Sequence, residues 1–124
     1  MLKDIVDVLA DPADLSPLAG ADDFSRLVSE SGHSYDVAKQ GYVTLAAGAG
    51  LHHEGDSLEM VNSRETFLSN GHFAPFVEAV SDSIAETVEA CAGSEDPVIL
   101  EVGAGTGYYL AHTLDLIEGS RGVG

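Results

Sequence analysis

Residues 96–117 read D-P-V-I-L-E-V-G-A-G-T-G-Y-Y-L-A-H-T-L-D-L-I, and this stretch decides the fold class. Asp96-Pro97 opens a continuous apolar run, Val98-Ile99-Leu100, of the kind expected for a buried strand. Glu101-Val102 and three glycines at every second position, Gly103, Gly105 and Gly107, follow it. A helical stretch over Tyr108–Ile117 comes next. Strand, glycine-rich turn and helix in succession are the first half of a parallel α/β unit. A dinucleotide fingerprint, G-x-G-x-x-G, requires its third glycine at position 108, where Tyr108 stands. The spacing is instead acid-x-Gly-x-Gly-x-Gly. Three missing β-carbons allow a ligand to lie against the backbone, and the helix start supplies N–H groups that lack partners within the helix.

Outward from this unit, residues 57–92 read as helical. Asp56 and Ser57 are N-cap candidates for a helix carrying Leu58, Val61, Phe67 and Leu68 that stops at Asn70-Gly71. A second helix is expected from Pro75 to about Ala92, with Phe76, Val80, Ile84 and Val88 as an i, i+4 core stripe. Residues 46–56, A-A-G-A-G-L-H-H-E-G-D, read as a flexible linker, and the neighbouring His52, His53 and Glu54 are expected to be solvated there rather than to hold a metal. Residues 1–45 suggest a small α+β or hairpin unit. Leu2, Ile5, Val6 and Leu9 stand at helical spacing, the chain breaks at Asp11-Pro12 and Ser16-Pro17, and two short strands around Arg26–Ser29 and His33–Val37 flank Glu30-Ser31-Gly32.

Composition sets limits. The 124 residues are 44% hydrophobic with mean hydropathy +0.09, which argues for a packed core rather than an acidic tail. Twenty-one acidic against five basic side chains give a formal charge of −16. The acids are spread along the whole chain, which lacks the basic stripe that nucleic-acid affinity requires, so composition taken alone argues against RNA binding. One cysteine, Cys91, excludes an internal disulfide and a cysteine-cluster metal site, and suits a reducing cytoplasm. No apolar run is long enough to span a membrane.

The turn Glu101-Val-Gly-Ala-Gly-Thr-Gly107 resembles the first motif of class I S-adenosylmethionine-dependent methyltransferases. The segments H-S-Y-D-V-A-K-Q-G-Y-V-T-L (33–45), G-D-S-L-E-M-V-N-S-R-E-T-F-L-S-N-G-H-F-A-P-F (55–76) and E-V-G-A-G-T-G-Y-Y-L (101–110) together resemble the 23S ribosomal RNA guanine-N1 methyltransferases, a family that includes macrolide-resistance methylases. The resemblance covers most of residues 9–124. It implies an α/β protein: a recognition unit at 1–45 with a degenerate zinc-ribbon-like site, a linker at 46–56, and at 57–124 the start of a Rossmann-like methyltransferase domain. S-adenosylmethionine is the implied cofactor. Its binding residues would be Glu101, Gly103, Gly105, Gly107, Tyr108 and His72, with the Glu101 acid anchoring the amino group and His72 near the amino-acid end. Arg64 is a candidate to hold a phosphate or a neighbouring carboxylate, with a salt bridge the simpler expectation.

The chain departs from the family in two places. The family's zinc ligands fall on Asp11, Asp14, Ser29 and His33, so three of the four positions lack sulfur or imidazole, and serine is a poor zinc donor. A structural zinc is therefore not expected, and packing of Tyr35, Val37, Leu18 and Leu27 is expected to hold the unit. The chain also stops at Arg121–Gly124, where the family enters its second strand. That implies a fragment of a longer methyltransferase, inactive alone, prone to self-association through an exposed sheet edge, and without an assignable catalytic residue. The implied substrate of the whole enzyme is N1 of a guanine in 23S rRNA. The alternatives are a methyltransferase of small molecules or proteins, and a non-enzymatic interaction module.

Overall fold

The structure, a computed structural model, describes residues 2–46, 55–91 and 96–124. They fall into two compact units, Met1–His53 and Glu54–Gly124. His52-His53-Glu54 and most of the 46–56 segment lie outside the described residues.

The first unit is a three-stranded antiparallel sheet in the order β1 (Leu18–Ala21), β2 (Arg26–Ser29), β3 (Ser34–Asp36). Leu27 of β2 faces Gly20 on one side and Tyr35 on the other. Alternation along β2 turns Leu27 inward, where with Leu18 it is buried and forms the unit's apolar centre. The β2–β3 hairpin falls where the sequence places it. The N-terminal segment does not form the expected α-helix. It makes two 3-10 turns, Leu2–Asp4 and Val6–Val8. Ten residues ahead of the Asp11-Pro12 break are too few to offset the cost of nucleating an α-helix, and i, i+3 spacing serves a 3-10 turn equally well. Strand β1 was not expected either. Its loop to β2 carries three successive left-handed residues, Asp22 (φ 49°), Asp23 (φ 57°) and Phe24 (φ 59°), a conformation that costs each of them energy. The Arg26–Asp22 ion pair (2.7 Å) and the Ser25 N–H donating to the Asp22 carbonyl (3.1 Å) close that loop.

The second unit contains helices α1 (Leu58–Ser69), α2 (Ala74–Ala90) and α3 (Tyr108–Leu116) and the parallel pair β4 (Val98–Leu100) and β5 (Arg121–Val123). Ser57 caps α1 by accepting the Met60 N–H, and Gly71 ends it with φ 77°. Pro75 stands in the first turn of α2. The α2 stripe is displaced from its expected position. Val77 and Ser81 are the buried residues, Val80, Ile84 and Val88 are half-buried, and Phe76 is 57% exposed. Ser81 packs against α3, its Oγ 3.1 Å from Oγ1 of Thr113, which itself donates to the Tyr109 carbonyl (3.0 Å). Two buried hydroxyls thus satisfy each other at the α2–α3 contact. Between β4 and β5, α3 forms the crossover. It lies so close to β5 that a Cβ at Gly122 would stand 2.6 Å from Leu114 Cδ1. Among the described residues no helix is long and apolar enough to cross a membrane.

Candidate functional site

The glycine turn joins the end of β4 to the start of α3. Gly103 (φ 76°), Gly105 (φ 60°) and Gly107 (φ 75°) are all left-handed, a region where any other residue would be strained. Their lack of side chains is not required by crowding within the chain. A Cβ at Gly103 or Gly107 would meet no atom within 4 Å, and one at Gly105 only the Gly103 carbonyl oxygen (3.9 Å) and Arg64 Nη1 (4.0 Å). The turn therefore presents open backbone on the side where β-carbons would project.

Glu101 leaves β4 with its N–H on the Val123 carbonyl (2.8 Å). Its Oε2 accepts the Leu110 N–H at 3.0 Å, so the carboxylate caps the first turn of α3. An acid at a helix N-terminus is favourably placed against the helix dipole. Its Oε1 accepts no hydrogen bond from the described residues. Within the same turn of helix the Ala111 N–H goes to the Gly107 carbonyl, whereas the Tyr108 and Tyr109 N–H groups find no acceptor among the described residues. A recess of about 250 Å³ opens beside the turn, lined by Glu65 and Leu68 of α1 and by Thr106, Gly107, Tyr108 and His112. Exposed backbone, a spare carboxylate oxygen and spare N–H donors form a set that fits a zwitterionic amino-acid group.

The structure thus brings Glu101, Gly103, Gly105, Gly107 and Tyr108 together at one turn, and Arg64 reaches it from α1. Arg64 Nη1 also pairs with Asp56 Oδ2 at 2.8 Å, the salt bridge expected from sequence. The recorded partner of His72 is different. Its exposed ring stacks on Phe67 (centroids 4.9 Å) and hydrogen-bonds to neither Glu101 nor the glycines. From Phe67 a run of edge-on ring contacts passes through Phe73, Phe76, Tyr109 and Tyr108 to His112. Sequence reading missed this ladder, although five aromatics and two histidines in residues 67–112 are its visible signal.

In the first unit, Asp11, Asp14 and His33 also come together, with one potential ligand atom from each within 4.8 Å of the others. Asp11 is the centre. It is fully buried, accepts the Tyr35 hydroxyl (2.7 Å) and the Ala13 N–H (2.8 Å) on Oδ1, and meets His33 Nδ1 (2.7 Å) on Oδ2. Burial pushes its pKa up, but hydrogen bonds from Tyr35, Ala13, Ser29 and His33 outweigh burial and hold the carboxyl well below the ordinary range. The Tyr35 hydroxyl is correspondingly pushed up to about 12, first by its bond to Asp11 and then by burial. Ser29 Oγ accepts the His33 N–H (3.1 Å) and meets Ser31 Oγ (2.8 Å). Ser31 and Ser16 hold the Asp14 carboxyl down as well.

A strand, a left-handed glycine turn, an acid-capped helix and a parallel return strand form a β-α-β element of the mixed α/β kind; in open parallel α/β sheets ligands lie at the carboxyl ends of the strands. By sequence the chain is similar to two proteins named as 23S rRNA (guanine-N1)-methyltransferases. It is 36% identical over 124 residues, 99% of its length, to the 23S rRNA (guanine(748)-N(1))-methyltransferase of Streptomyces fradiae. It is 39% identical over 102 residues, 75% of its length, to a protein of Micromonospora griseorubida provisionally named a 23S rRNA (guanine-N1)-methyltransferase. The chain spans 42% and 34% of the length of these two relatives, respectively. No family model matches the chain.

Proposed function

We propose that these residues supply the cofactor turn of an S-adenosylmethionine-dependent methyltransferase that acts on N1 of a guanine in 23S rRNA. The observation that carries this reading is the Glu101–Tyr108 turn, with its left-handed glycines and acid-capped helix, in a chain whose relatives bear that name. When bound, S-adenosylmethionine supplies an electrophilic sulfonium methyl. This chain's residues hold its amino-acid end: the glycines let it approach the backbone, the Tyr108 and Tyr109 N–H groups donate to its carboxylate, and Glu101 Oε1 accepts from its ammonium. Tyr108 walls the recess. His72 stacks on Phe67 at the far end of the aromatic ladder and stands near the cofactor's amino-acid end. The units correspond to a recognition part at 1–45 and the start of a Rossmann-like domain at 57–124, in a protein of the cytoplasm.

Five basic side chains against 21 acidic ones give this chain no basic surface for an RNA backbone. Cofactor holding by the second unit is therefore this chain's main part in the reaction. In the first unit the Asp11–His33–Tyr35 hydrogen bonds do the work of a structural metal, so no zinc is required. The test of the whole reading is product analysis. Protein expressed from the complete gene, incubated with labelled S-adenosylmethionine and unmodified 23S rRNA, should yield labelled 1-methylguanosine on nuclease digestion. Label on another nucleoside, or transfer to protein or small molecules with none to rRNA, would overturn the substrate assignment.

A further inference from the structure

We propose that Arg64 receives the carboxylate of the cofactor's amino-acid end at Gly105, opposite the Glu101 carboxylate that takes its ammonium; this rests on the cofactor reading above. Residues 54–124 contain only two basic side chains, Arg64 and Arg121, among thirteen acids, so a guanidinium beside the glycine turn stands out against the surrounding charge. It reaches the turn from midway along α1, with Nη1 4.0 Å from where a Gly105 Cβ would stand. The side chain is half exposed and so accessible to a ligand.

Its contact with Asp56 is made through Nη1, at 2.8 Å from Oδ2, and no partner other than Asp56 is found for it among the described residues. A planar guanidinium has five N–H donors and can hold a second carboxylate through its open edge. An exposed Arg–Asp pair contributes little to stability, so the arrangement is poorly explained as a fold-stabilising device. Positive charge from Arg64 and negative charge from Glu101 at one turn match the two charges of a free amino acid group. An uncharged or singly charged ligand would leave one of them unanswered. Asp56 acts in this scheme as a placeholder that keeps the guanidinium at the turn and competes with the ligand for it.

The test compares two ligands by titration calorimetry on protein expressed from the complete gene: S-adenosylhomocysteine, which has the amino-acid end, and 5′-methylthioadenosine, which lacks it. Arg64→Gln should weaken S-adenosylhomocysteine about 10- to 100-fold, the range for a lost charge-assisted hydrogen bond, and leave 5′-methylthioadenosine within about twofold. Arg64→Lys should fall between, and Asp56→Asn should hold or tighten S-adenosylhomocysteine. Unchanged melting temperatures will show that the variants fold. If Arg64→Gln weakens neither ligand, or both alike, the assignment fails. It also fails if Asp56→Asn weakens binding as much as Arg64→Gln does, because the pair is then structural. Loss of rRNA affinity with S-adenosylhomocysteine binding intact would assign Arg64 to a phosphate and overturn the proposal. A wild-type protein that binds neither ligand overturns the cofactor reading itself, whereas one that binds both equally leaves cofactor binding standing and overturns the amino-acid-end contacts, that of Arg64 among them.

Discussion

Gly103 and Gly71 form a matched pair for separating conformational strain from ligand approach. Both are left-handed, with φ of 76° and 77°, and a Cβ on either would meet nothing within 4 Å. One lies in the β4–α3 turn and the other at the end of α1. Alanine at either position carries the cost of a left-handed residue, about 1–2 kcal/mol, with no added clash. In a unit of this size each ~1 kcal/mol lowers the melting temperature by about 4–8 °C, so Gly103→Ala and Gly71→Ala should melt at similarly reduced temperatures. Their effects on binding should part. A methyl group at Gly103 projects into the space assigned to the cofactor, and overpacking of that kind costs about 1–3 kcal/mol, or roughly 5- to 150-fold in affinity. Gly71→Ala should leave S-adenosylhomocysteine affinity within about twofold of wild type. The assay is calorimetric titration below the melting temperature of both variants, with the melts recorded on the same samples. Equal affinity for the two variants, whether both retained or both lost, would refute the claim that the cofactor lies against the turn.

Three further outcomes follow from the buried polar groups. Thr113→Val removes the partner of the buried Ser81 hydroxyl and should destabilise the second unit by about 1–3 kcal/mol, while Ser81→Ala with Thr113→Val should recover most of that loss; a double-mutant cycle reads the coupling. Asp11 has a folded pKa below its unfolded value, so its contribution to the first unit is fully present above about pH 4 and fades as pH falls below that. Tyr35 shifts the other way, to about 12 in the fold, so its contribution is complete below about pH 10 and is lost as pH climbs toward the folded value. Asp11→Asn should therefore lower the first unit's melting temperature at neutral pH and flatten both limbs of its stability–pH curve. Protein purified without chelator should contain well under one equivalent of zinc by elemental analysis; a full equivalent would overturn the metal-free account of the Asp11 cluster.

The sequence reading succeeded where local chemistry is self-sufficient. Val98-Ile99-Leu100 followed by alternating glycines does form a strand entering a turn, although Val98 and Leu100 are exposed where a buried strand is expected, and Ser57 and Asn70-Gly71 mark their helix ends without help from distant residues. It failed where an element depends on its neighbours. Leu18-Ala19-Gly20-Ala21 has no strand preference of its own and becomes β1 by pairing with β2. On α2, apolarity favoured Phe76 over Ser81 for the interior, because the partner that satisfies Ser81 stands 32 residues away on α3. The site was legible in the same uneven way. The turn glycines and Glu101 announce themselves, and laying the chain on a four-ligand pattern did gather Asp11, Asp14, Ser29 and His33. Tyr35 as the hydroxyl donor to Asp11 and Arg64 as a neighbour of Gly105 required the fold, since the first contact spans 24 residues and the second joins a helix to a turn 41 residues away.

The most direct test of the central claim is to see where S-adenosylhomocysteine lands. Amide resonances of 15N-labelled protein followed during its titration should shift most at Glu101 to Leu110, with Gly103, Gly105 and Gly107 foremost. Saturable binding whose shifts leave this turn untouched and cluster elsewhere, for example around Asp11 and His33, would contradict the assignment of the glycine turn as the cofactor's site.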